Sequence, residues 1–411
     1  MRLTRIYLQN LRNHLSTEML PSERVNIITG MNGMGKTTIL EGISLCTLAR
    51  SFVANQDSAL LRRGETEFAC RVEGKSDFGA PRRIELRYRQ EGGKSMTLDG
   101  GANAPAVRVI GSIPTVVLFP DMKAISGGPP LHRRRFLDLV LSQSKRRYFE
   151  DLLQYRRLLK QRNALLSNAR RTGRRPDESL LAPWDEGLID RGARLMAERT
   201  SFIDEFMPIL QTTAQEVALG NDDISIEYRP DSVEPSTRSL NEFRDALWLR
   251  SKEVRRNELR RGTTLFGPHR DDLGMMVNGG DVRTAASQGQ HKTLLIGLKV
   301  AEFHYLAAQT AETPIILLDD IFGDLDPVRA ERVYDVCRGL AQVFITAVSL
   351  EMLPFLRRRR FGPDDLHVSV SDGRLQRVGS GTFSDAKREL HPERVAEPIE
   401  PEDSGGETNG K

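Results

Sequence analysis

The 411-residue sequence has few cysteines and no long apolar run, and both absences limit what the protein can be. The three cysteines, Cys46, Cys70 and Cys337, are far apart, and their spacing matches neither a disulfide framework nor a metal site. No segment approaches the ~18 apolar residues of a membrane-spanning helix, and the N-terminus lacks the apolar core of a signal peptide. We therefore expect a folded cytoplasmic protein that has no membrane partner.

Charge of one sign is not in large excess either. Lys and Arg together number 60 and Asp and Glu 56, which gives a formal net charge of +4. This value is too small to indicate a nucleic-acid partner, so the distribution of the charge must decide. The length predicts two compact units, or one unit that carries a large insertion.

The segment GMNGMGKTT (30–38) fits the phosphate-binding pattern G-x-x-x-x-G-K-[ST]. Apolar residues predict a buried strand before it and a helix after it. Glycines let backbone N–H groups turn inward around phosphate oxygens. Lys36 would lie over the outer phosphates, and the Thr37 hydroxyl would bind Mg²⁺. We therefore predict a nucleoside triphosphate site at Gly30, Met31, Asn32, Gly33, Met34, Gly35, Lys36, Thr37 and Thr38.

The segment PIILLDD (314–320) predicts the acidic half of the same site. Its apolar run is typical of a central parallel strand, and two carboxylates follow at the carboxyl end. We assign Asp319 to the magnesium ion and Asp320 to polarising the attacking water. Lys36 and Asp320 are then the predicted catalytic residues.

The segment SQGQ (287–290) precedes a run with helical spacing. The free N–H groups at a helix start can hold an anion, so Ser287, Gly289 and Gln290 could form a second phosphate cradle. A serine that simply caps an ordinary helix is the alternative reading.

The order of these segments resembles the ABC-type ATPase head. The phosphate loop is followed by a long interval, the SQGQ helix, the acidic strand and then GDLD (323–326). No N-K-x-D motif for guanine is present, which weakens a GTPase reading. In ABC-type heads the signature of one subunit closes over the ATP of the other, and the resemblance places Asp326 in the D-loop. It therefore implies an ATP-driven, head-to-tail homodimer and an α/β fold.

Several motifs together are similar to those of the RecF family of DNA-repair ATPases. The motifs lie within residues 2–370, and they are LQNLRNH (8–14), GMNGMGKTTILEGI (30–43), RSF (50–52), LHRRRFLD (131–138), FGPHRDDL (266–273), SQGQ (287–290) and LLDDIFGDLD (317–326). The resemblance implies that Arg12 and Asn13 lie near the nucleotide, and that residues 266–272 belong to the head beside it. It also implies ATP and Mg²⁺ as cofactors, and recombination mediators such as RecR and RecO as partners.

Some positions depart from these patterns. No glutamine follows VVLF (116–119), where transporter heads place a ligand of magnesium and water. No switch histidine follows QVFIT (342–346), where Thr346 is the nearest polar candidate. Val53 stands after RSF where a basic residue is expected. These departures leave the residue that senses the γ-phosphate unassigned.

The interval between the loop and SQGQ predicts a helical arm inserted into the head. Apolar residues at heptad spacing predict an antiparallel hairpin joined by a polar loop at 170–183, with Pro208 ending or kinking the second helix. A third helix is predicted over 240–261. The heptad positions are Leu152, Leu158, Leu159, Leu165 and Leu166, and then Leu188, Ile189, Leu195, Met196, Phe202, Ile203, Ile209 and Leu210. The predicted units are the head (1–125), the arm (126–262), the second part of the head (263–378) and a disordered tail (379–411).

Positive charge concentrates on the arm. Such clustering favours binding to the phosphates of a DNA backbone and does not indicate recognition of a base sequence. A solvated helix face is the alternative explanation. The basic residues are Arg133, Arg134, Arg135, Lys145, Arg146, Arg147, Arg156, Arg157, Lys160, Arg162, Arg170, Arg171, Arg174 and Arg175. We expect Tyr148, Phe149 and Tyr155 between them to be core residues.

The leading interpretation is an ATP-dependent DNA-binding protein of recombinational repair. ATP would close a dimer on double-stranded or gapped DNA, and weak, DNA-stimulated hydrolysis to ADP and phosphate would reopen it. Assistance in loading a recombinase is implied by the resemblance alone. The alternatives are an ABC transporter ATPase subunit, an ATP-dependent nuclease, for which no further carboxylate cluster is visible, and a nucleotide kinase.

Overall fold

The computed structural model describes residues 1–101, 103–173, 178–217, 222–234, 236, 239–353, 355–356 and 364–378. The strands are β1 (Arg2–Leu11), β2 (His14–Met19), β3 (Val25–Thr29), β4 (Glu67–Lys75), β5 (Pro81–Arg89), β6 (Gly93–Leu98), β7 (Thr115–Leu118), β8 (Ile224–Arg229), β9 (Asp272–Val277), β10 (Gly280–Asp281), β11 (Ile315–Asp319), β12 (Val343–Ala347), β13 (Asp365–Ser371) and β14 (Arg374–Arg377). The helices are α1 (Lys36–Leu48), α2 (Ala106–Val109), α3 (Lys123–Gly127), α4 (Pro130–Ser144), α5 (Arg146–Thr172), α6 (Glu178–Val217), α7 (Leu240–Arg261), α8 (Val282–Ala285), α9 (Gln288–Thr310) and α10 (Pro327–Leu340).

A six-stranded sheet in the order β14-β13-β3-β12-β11-β7 forms the centre of the head. β3, β12, β11 and β7 run parallel, and every residue of these strands is buried, as their uninterrupted apolar runs predict. Thr346 of β12 is in register with Ile28 of β3 on one side and with Asp319 of β11 on the other. The phosphate loop that follows β3 and the acids at the carboxyl end of β11 therefore share one edge of the sheet, with β12 between them.

A second, antiparallel sheet in the order β2-β1-β4-β5-β6 covers α1. Nearly every residue of α1 is buried, because this sheet and the central sheet enclose the helix. The start of α1 is thereby fixed relative to the central sheet, and with it the loop that precedes the helix.

The arm contains the predicted antiparallel hairpin, formed by α5 and α6, and α7 packs on both helices. The predicted polar loop at 170–183 is too long, because α5 continues to Thr172 and α6 begins at Glu178. Pro208 does not end the second helix either. Phe206 and Leu210 on both sides of it are fully buried in the core, and α6 continues to Val217.

The third helix has the predicted bounds, Leu240–Arg261, and its ends show why. The Ser239 hydroxyl accepts a hydrogen bond from the N–H of Glu242, and the Glu242 carboxylate accepts one from the N–H of Ser239. At the other end, Gly262 has a φ of 72°, the left-handed conformation that closes a helix.

The predicted division into units stays a prediction. Residue 126 lies within α3, and residue 262 directly follows α7. A small sheet of β8, β9 and β10 is also present, and its first strand packs on α6. The predicted disordered tail, 379–411, and the predicted DNA-facing residues Arg174 and Arg175 lie outside the described residues. Within the described ranges, no helix has the length and apolar character needed to cross a membrane.

Candidate nucleotide site and its surroundings

The loop between β3 and α1 has the backbone conformation that its glycines permit. Gly30, Gly33 and Gly35 have φ angles of 153°, 81° and 108°, which residues with a side chain rarely adopt. A Cβ atom on Gly30 would lie 2.4 Å from the carbonyl oxygen of Val370, and one on Gly35 would lie 2.4 Å from Nε2 of His14. Conformation and space therefore both require glycine at these two positions.

Lys36 folds back over the loop. Its Nζ atom donates hydrogen bonds to the carbonyl oxygens of Gly30 at 2.6 Å and Met31 at 3.0 Å. Burial lowers the pKa of Lys36, while the nearby carboxylates of Asp320 and Asp319 raise it. The ammonium group therefore lies where the outer phosphates of a nucleotide would need a positive charge.

Thr37 and Asp319 lie side by side, as a magnesium site requires. The Thr37 hydroxyl donates to Oδ1 of Asp319 at 2.9 Å. These two oxygen ligands are too few to hold Mg²⁺ alone, and among the described residues there is no cluster of three metal-binding side chains. Mg²⁺ would therefore take its remaining ligands from phosphate oxygens and water, which fits a nucleotide site.

Asp320 directly follows the strand and has the left-handed backbone conformation, with a φ of 48°. Its backbone N–H donates to the Thr346 hydroxyl at 3.0 Å. Burial raises the pKa of Asp320, and Lys36 lowers it. Its side chain is partly exposed at the edge of the sheet, where a water molecule can reach it.

The first turn after β1 reaches the loop through Asn13, whose Nδ2 atom donates to the carbonyl oxygen of Gly33 at 3.2 Å. Arg12 instead pairs with the fully buried carboxylate of Glu41 on α1, at 2.9 Å. Among the remaining predicted loop residues, Met31 and Asn32 are exposed, Met34 is partly buried and Thr38 is buried.

The predicted second cradle is a capped helix start in this chain. The Ser287 hydroxyl accepts from the N–H of Gln290 at 3.2 Å, and the Gln290 side chain accepts from the N–H of Ser287 at 2.9 Å. Asp326 caps α10 and pairs with Arg329 at 2.7 Å, and a Cβ atom on Gly289 would lie 3.4 Å from the same arginine. SQGQ and the D-loop therefore adjoin on one surface.

That surface makes no direct polar contact with the nucleotide loop in the described part of the chain. Among the described residues, no hydrogen bond or ion pair joins SQGQ or Asp326 to residues 30–38. The described part of the chain thus brings Lys36, Thr37, Asp319 and Asp320 together, and holds Ser287, Gly289, Gln290 and Asp326 elsewhere.

Sequence reasoning missed several residues that support the loop. His14 is fully buried, and its ring contacts the carbonyl oxygen of Gly35 at 3.0 Å and the Thr17 hydroxyl at 2.8 Å. The N–H of Gly373, in the turn after β13, donates to the carbonyl oxygen of Met34 at 3.1 Å. Arg62 donates to the carbonyl oxygen of Asn13 at 2.6 Å. Their distance from the loop in sequence leaves no local signal, apart from the place of His14 in LQNLRNH.

Segment 266–272 contacts α4, and among the described residues no hydrogen bond or ion pair joins it to residues 30–38, so its predicted place beside the nucleotide stays a prediction. Arg133 forms two hydrogen bonds to the Asp272 carboxylate, at 2.7 and 2.9 Å, and Arg134 donates to the carbonyl oxygen of Asp271 at 2.6 Å. The motifs LHRRRFLD and FGPHRDDL are therefore structural partners.

Two of the basic residues of the arm are unavailable to DNA because they are buried. Arg133 is held by Asp272, and Arg162 pairs with Asp185 and Glu258, at 2.7 Å in each case. Tyr148, Phe149 and Tyr155 are buried, which confirms their prediction as core residues.

Comparison with known proteins places this geometry in a family. The family model described as an AAA domain matches residues 5–170. The chain is 40% identical over 357 residues to the DNA replication and repair protein RecF of Chlorobium phaeovibrioides, covering 86% of the chain and 95% of the relative. It is 34% identical over 387 residues to RecF of Symbiobacterium thermophilum, covering 93% and 98%.

Solved structures agree with the sequence relatives. The recombination mediator protein RecF-ATPrS of the RecFOR pathway matches with a TM-score of 0.82 and 30% identity, covering 92% of this chain and 98% of that one. An Smc head bound to the C-winged helix domain of ScpA matches with a TM-score of 0.50 and 13% identity, covering 92% and 97%, and shows the fold alone. The fold is that of an ABC-type P-loop ATPase head with a helical insertion, and the chain belongs to the RecF family of DNA replication and repair proteins.

Proposed function

We propose that this chain is an ATP-dependent DNA-binding protein that dimerises when it binds ATP and releases DNA after slow hydrolysis. One observation carries the proposal. The chain has a nucleotide loop and an adjoining pair of segments, the SQGQ helix start and Asp326, which make no hydrogen bond to that loop among the described residues. A second copy, placed head to tail, would bring those segments to the loop.

ATP and Mg²⁺ fit the residues around the loop. Lys36 and the N–H groups of 30–35 would bind phosphate oxygens, while Thr37 and Asp319 would hold Mg²⁺. Bound ATP supplies the phosphoanhydride bond that is hydrolysed to ADP and phosphate. The Asp320 carboxylate would accept a proton from the attacking water. Its raised pKa makes the carboxylate a stronger base for this step.

The DNA proposal draws on the family and on the exposed basic residues of the arm. The relatives are named DNA replication and repair proteins, and the solved relative is called a recombination mediator of the RecFOR pathway. We propose that this chain binds double-stranded or gapped DNA and that the DNA stimulates its ATP hydrolysis. We also propose that it helps to load a recombinase. RecR and RecO are its proposed partners, and the cytoplasm is its proposed location.

Dimerisation tests this proposal directly. Analytical ultracentrifugation of the wild-type chain with Mg²⁺ and a non-hydrolysable ATP analogue should show a dimer, and without nucleotide a monomer. Lys36→Ala should stay monomeric in both conditions because it lacks the ammonium group that binds the phosphates. A wild-type chain that stays monomeric at saturating nucleotide would overturn the proposal.

A further inference from the structure

A cleft of about 580 Å³ separates the head from the arm. We call it the arm-root cleft. Arg50, Ser51 and Asn55 line its head side, and Arg135 and Arg156 line its arm side. A second cavity of about 550 Å³ adjoins it and shares Arg50 and Arg135. Both cavities are separate from the nucleotide loop, since residues 30–38 line neither of them.

Positive charge in the arm-root cleft exceeds the negative charge available to balance it. The carboxylates that line it are already paired, Asp57 with Lys94 at 2.8 Å and Asp138 with both Arg156 and Arg199 at 2.8 Å. Within the described part of the chain, no carboxylate lies within ion-pair distance of Arg50 or Arg135.

The guanidinium groups are close enough to influence one another. Burial lowers the pKa of Arg50, and the neighbouring Arg135 and Arg156 lower it further, whereas Asp138 opposes this effect. Like charges held together without a counter-charge favour the binding of an anion. Arginine suits phosphate in particular, because its planar fork can donate two parallel hydrogen bonds.

We propose that the arm-root cleft binds phosphate groups of the DNA backbone. This inference rests on the proposed function, and it names the place where DNA is held. Tyr155, an aromatic residue of the lining, is buried and contacts Nδ1 of His269 at 2.6 Å through its hydroxyl, so it offers no free ring face to a base. Backbone contacts alone give binding without sequence preference.

A series of residue contacts connects the arm-root cleft to the nucleotide loop. Ser51, next to Arg50, donates to Oε1 of Glu41 at 2.6 Å, and Glu41 pairs with Arg12 at 2.9 Å. Asn13, next to Arg12, bonds to Gly33 of the loop. A phosphate held by Arg50 thus acts on a segment whose contacts lead to the ATP site, which provides a route for DNA to change the ATPase rate.

The test is fluorescence anisotropy of labelled duplex DNA with Mg²⁺ and the ATP analogue, over a series of salt concentrations. The variant is Arg50→Gln with Arg135→Gln. The control is Arg2→Gln with Arg89→Gln, two exposed arginines on the antiparallel sheet that covers α1. It lowers the net charge by the same amount as the variant. Loss of two phosphate contacts should weaken binding at least about tenfold and reduce the slope of log K against log salt by about 2. Arg135→Gln alone should reduce the slope by about 1.

Each outcome has one meaning. Equal affinity and slope for the variant and its control would overturn the inference and leave the proposed function intact. If the wild-type chain with nucleotide does not bind DNA, the proposed function fails, and this inference fails with it. Thermal melting with inorganic phosphate separates a small-anion site from a DNA site. Stabilisation that the double variant loses, with unchanged DNA binding, would overturn the assignment to DNA.

Discussion

The Thr346 hydroxyl donates a hydrogen bond to Oδ1 of Asp319 at 2.8 Å. The Thr346 hydroxyl oxygen also accepts a hydrogen bond from the backbone N–H of Asp320 at 3.0 Å, and Thr346 is fully buried. One side chain therefore orients both acidic residues at the edge of the sheet. It does so at the end of the strand where transporter heads place their switch histidine, and its contacts assign it a positioning role.

Thr346→Val should lower the ATPase kcat while the KM for ATP changes little, because the Asp319 carboxylate and the Asp320 backbone lose their common partner. It leaves the N–H of Asp320 without its acceptor, and we expect a loss of unfolding free energy of about 1–3 kcal/mol. Steady-state kinetics and urea unfolding measure the two effects. Thr346→Ser keeps the hydroxyl and should behave like the wild type. A normal kcat in Thr346→Val would refute the positioning role.

Asp320→Asn should bind ATP normally and hydrolyse it at least about 100-fold more slowly, because the amide cannot accept a proton from water. With hydrolysis blocked, ATP itself should hold the dimer together, and light scattering should detect a dimer that persists for hours. A monomeric Asp320→Asn protein with bound ATP would contradict the role assigned to this carboxylate.

Arg162→Met should destabilise the arm by about 3–5 kcal/mol, because it removes the fully buried cation that Asp185 and Glu258 share and leaves them only the more exposed Arg255. Chemical unfolding gives the change in free energy. Arg157→Met, on the exposed side of the same helix, is the matched control and should change stability by less than about 0.5 kcal/mol. Equal effects of the two changes would show that the buried ion pairs of Arg162 contribute nothing to the free energy of unfolding.

His269 should make the arm root sensitive to acid. Burial, together with the nearby charges of Arg270, Arg134 and Arg162, lowers its pKa from 6.5 to about 4, and the contact with the Thr264 carbonyl oxygen opposes this shift. The unfolded chain therefore binds the proton more tightly, so the stability is fully present above about pH 6.5 and falls as the pH drops towards 4.

Unfolding measured between pH 7 and pH 4 should show a smaller loss of stability for His269→Asn than for the wild type, by on the order of 3 kcal/mol. His304→Asn on α9 is the control and should retain the wild-type slope. An unchanged pH dependence in His269→Asn would mean that this ring does not titrate as its burial implies.

Local signals explain what the sequence could predict. The glycines and Lys36, the apolar strand that ends at Asp319, and the helical spacing over 240–261 all act within a few residues, and these elements lie where they were expected. The helical spacing of the arm similarly predicted its hairpin.

Pairings between distant segments explain what the sequence could not predict. Arg133 and Asp272 are 139 residues apart, and Arg162 and Glu258 are 96 apart, so both arginines look like surface charge in the sequence. Tertiary burial of α6 likewise overrides the helix-ending tendency of Pro208. The predicted roles of Ser287, Gly289, Gln290 and Asp326 involve a second copy of the chain, and they stay predictions.

The most direct test of the account is the ATPase rate per molecule as a function of protein concentration, with and without duplex DNA, using Lys36→Ala as the blank. We predict a specific rate that rises with concentration, because each ATP site needs the SQGQ surface of a second copy, and that rises again when DNA is added. A rate that depends on neither concentration nor DNA would leave the loop at Gly30 as an ATP site and would contradict the DNA-bound dimer.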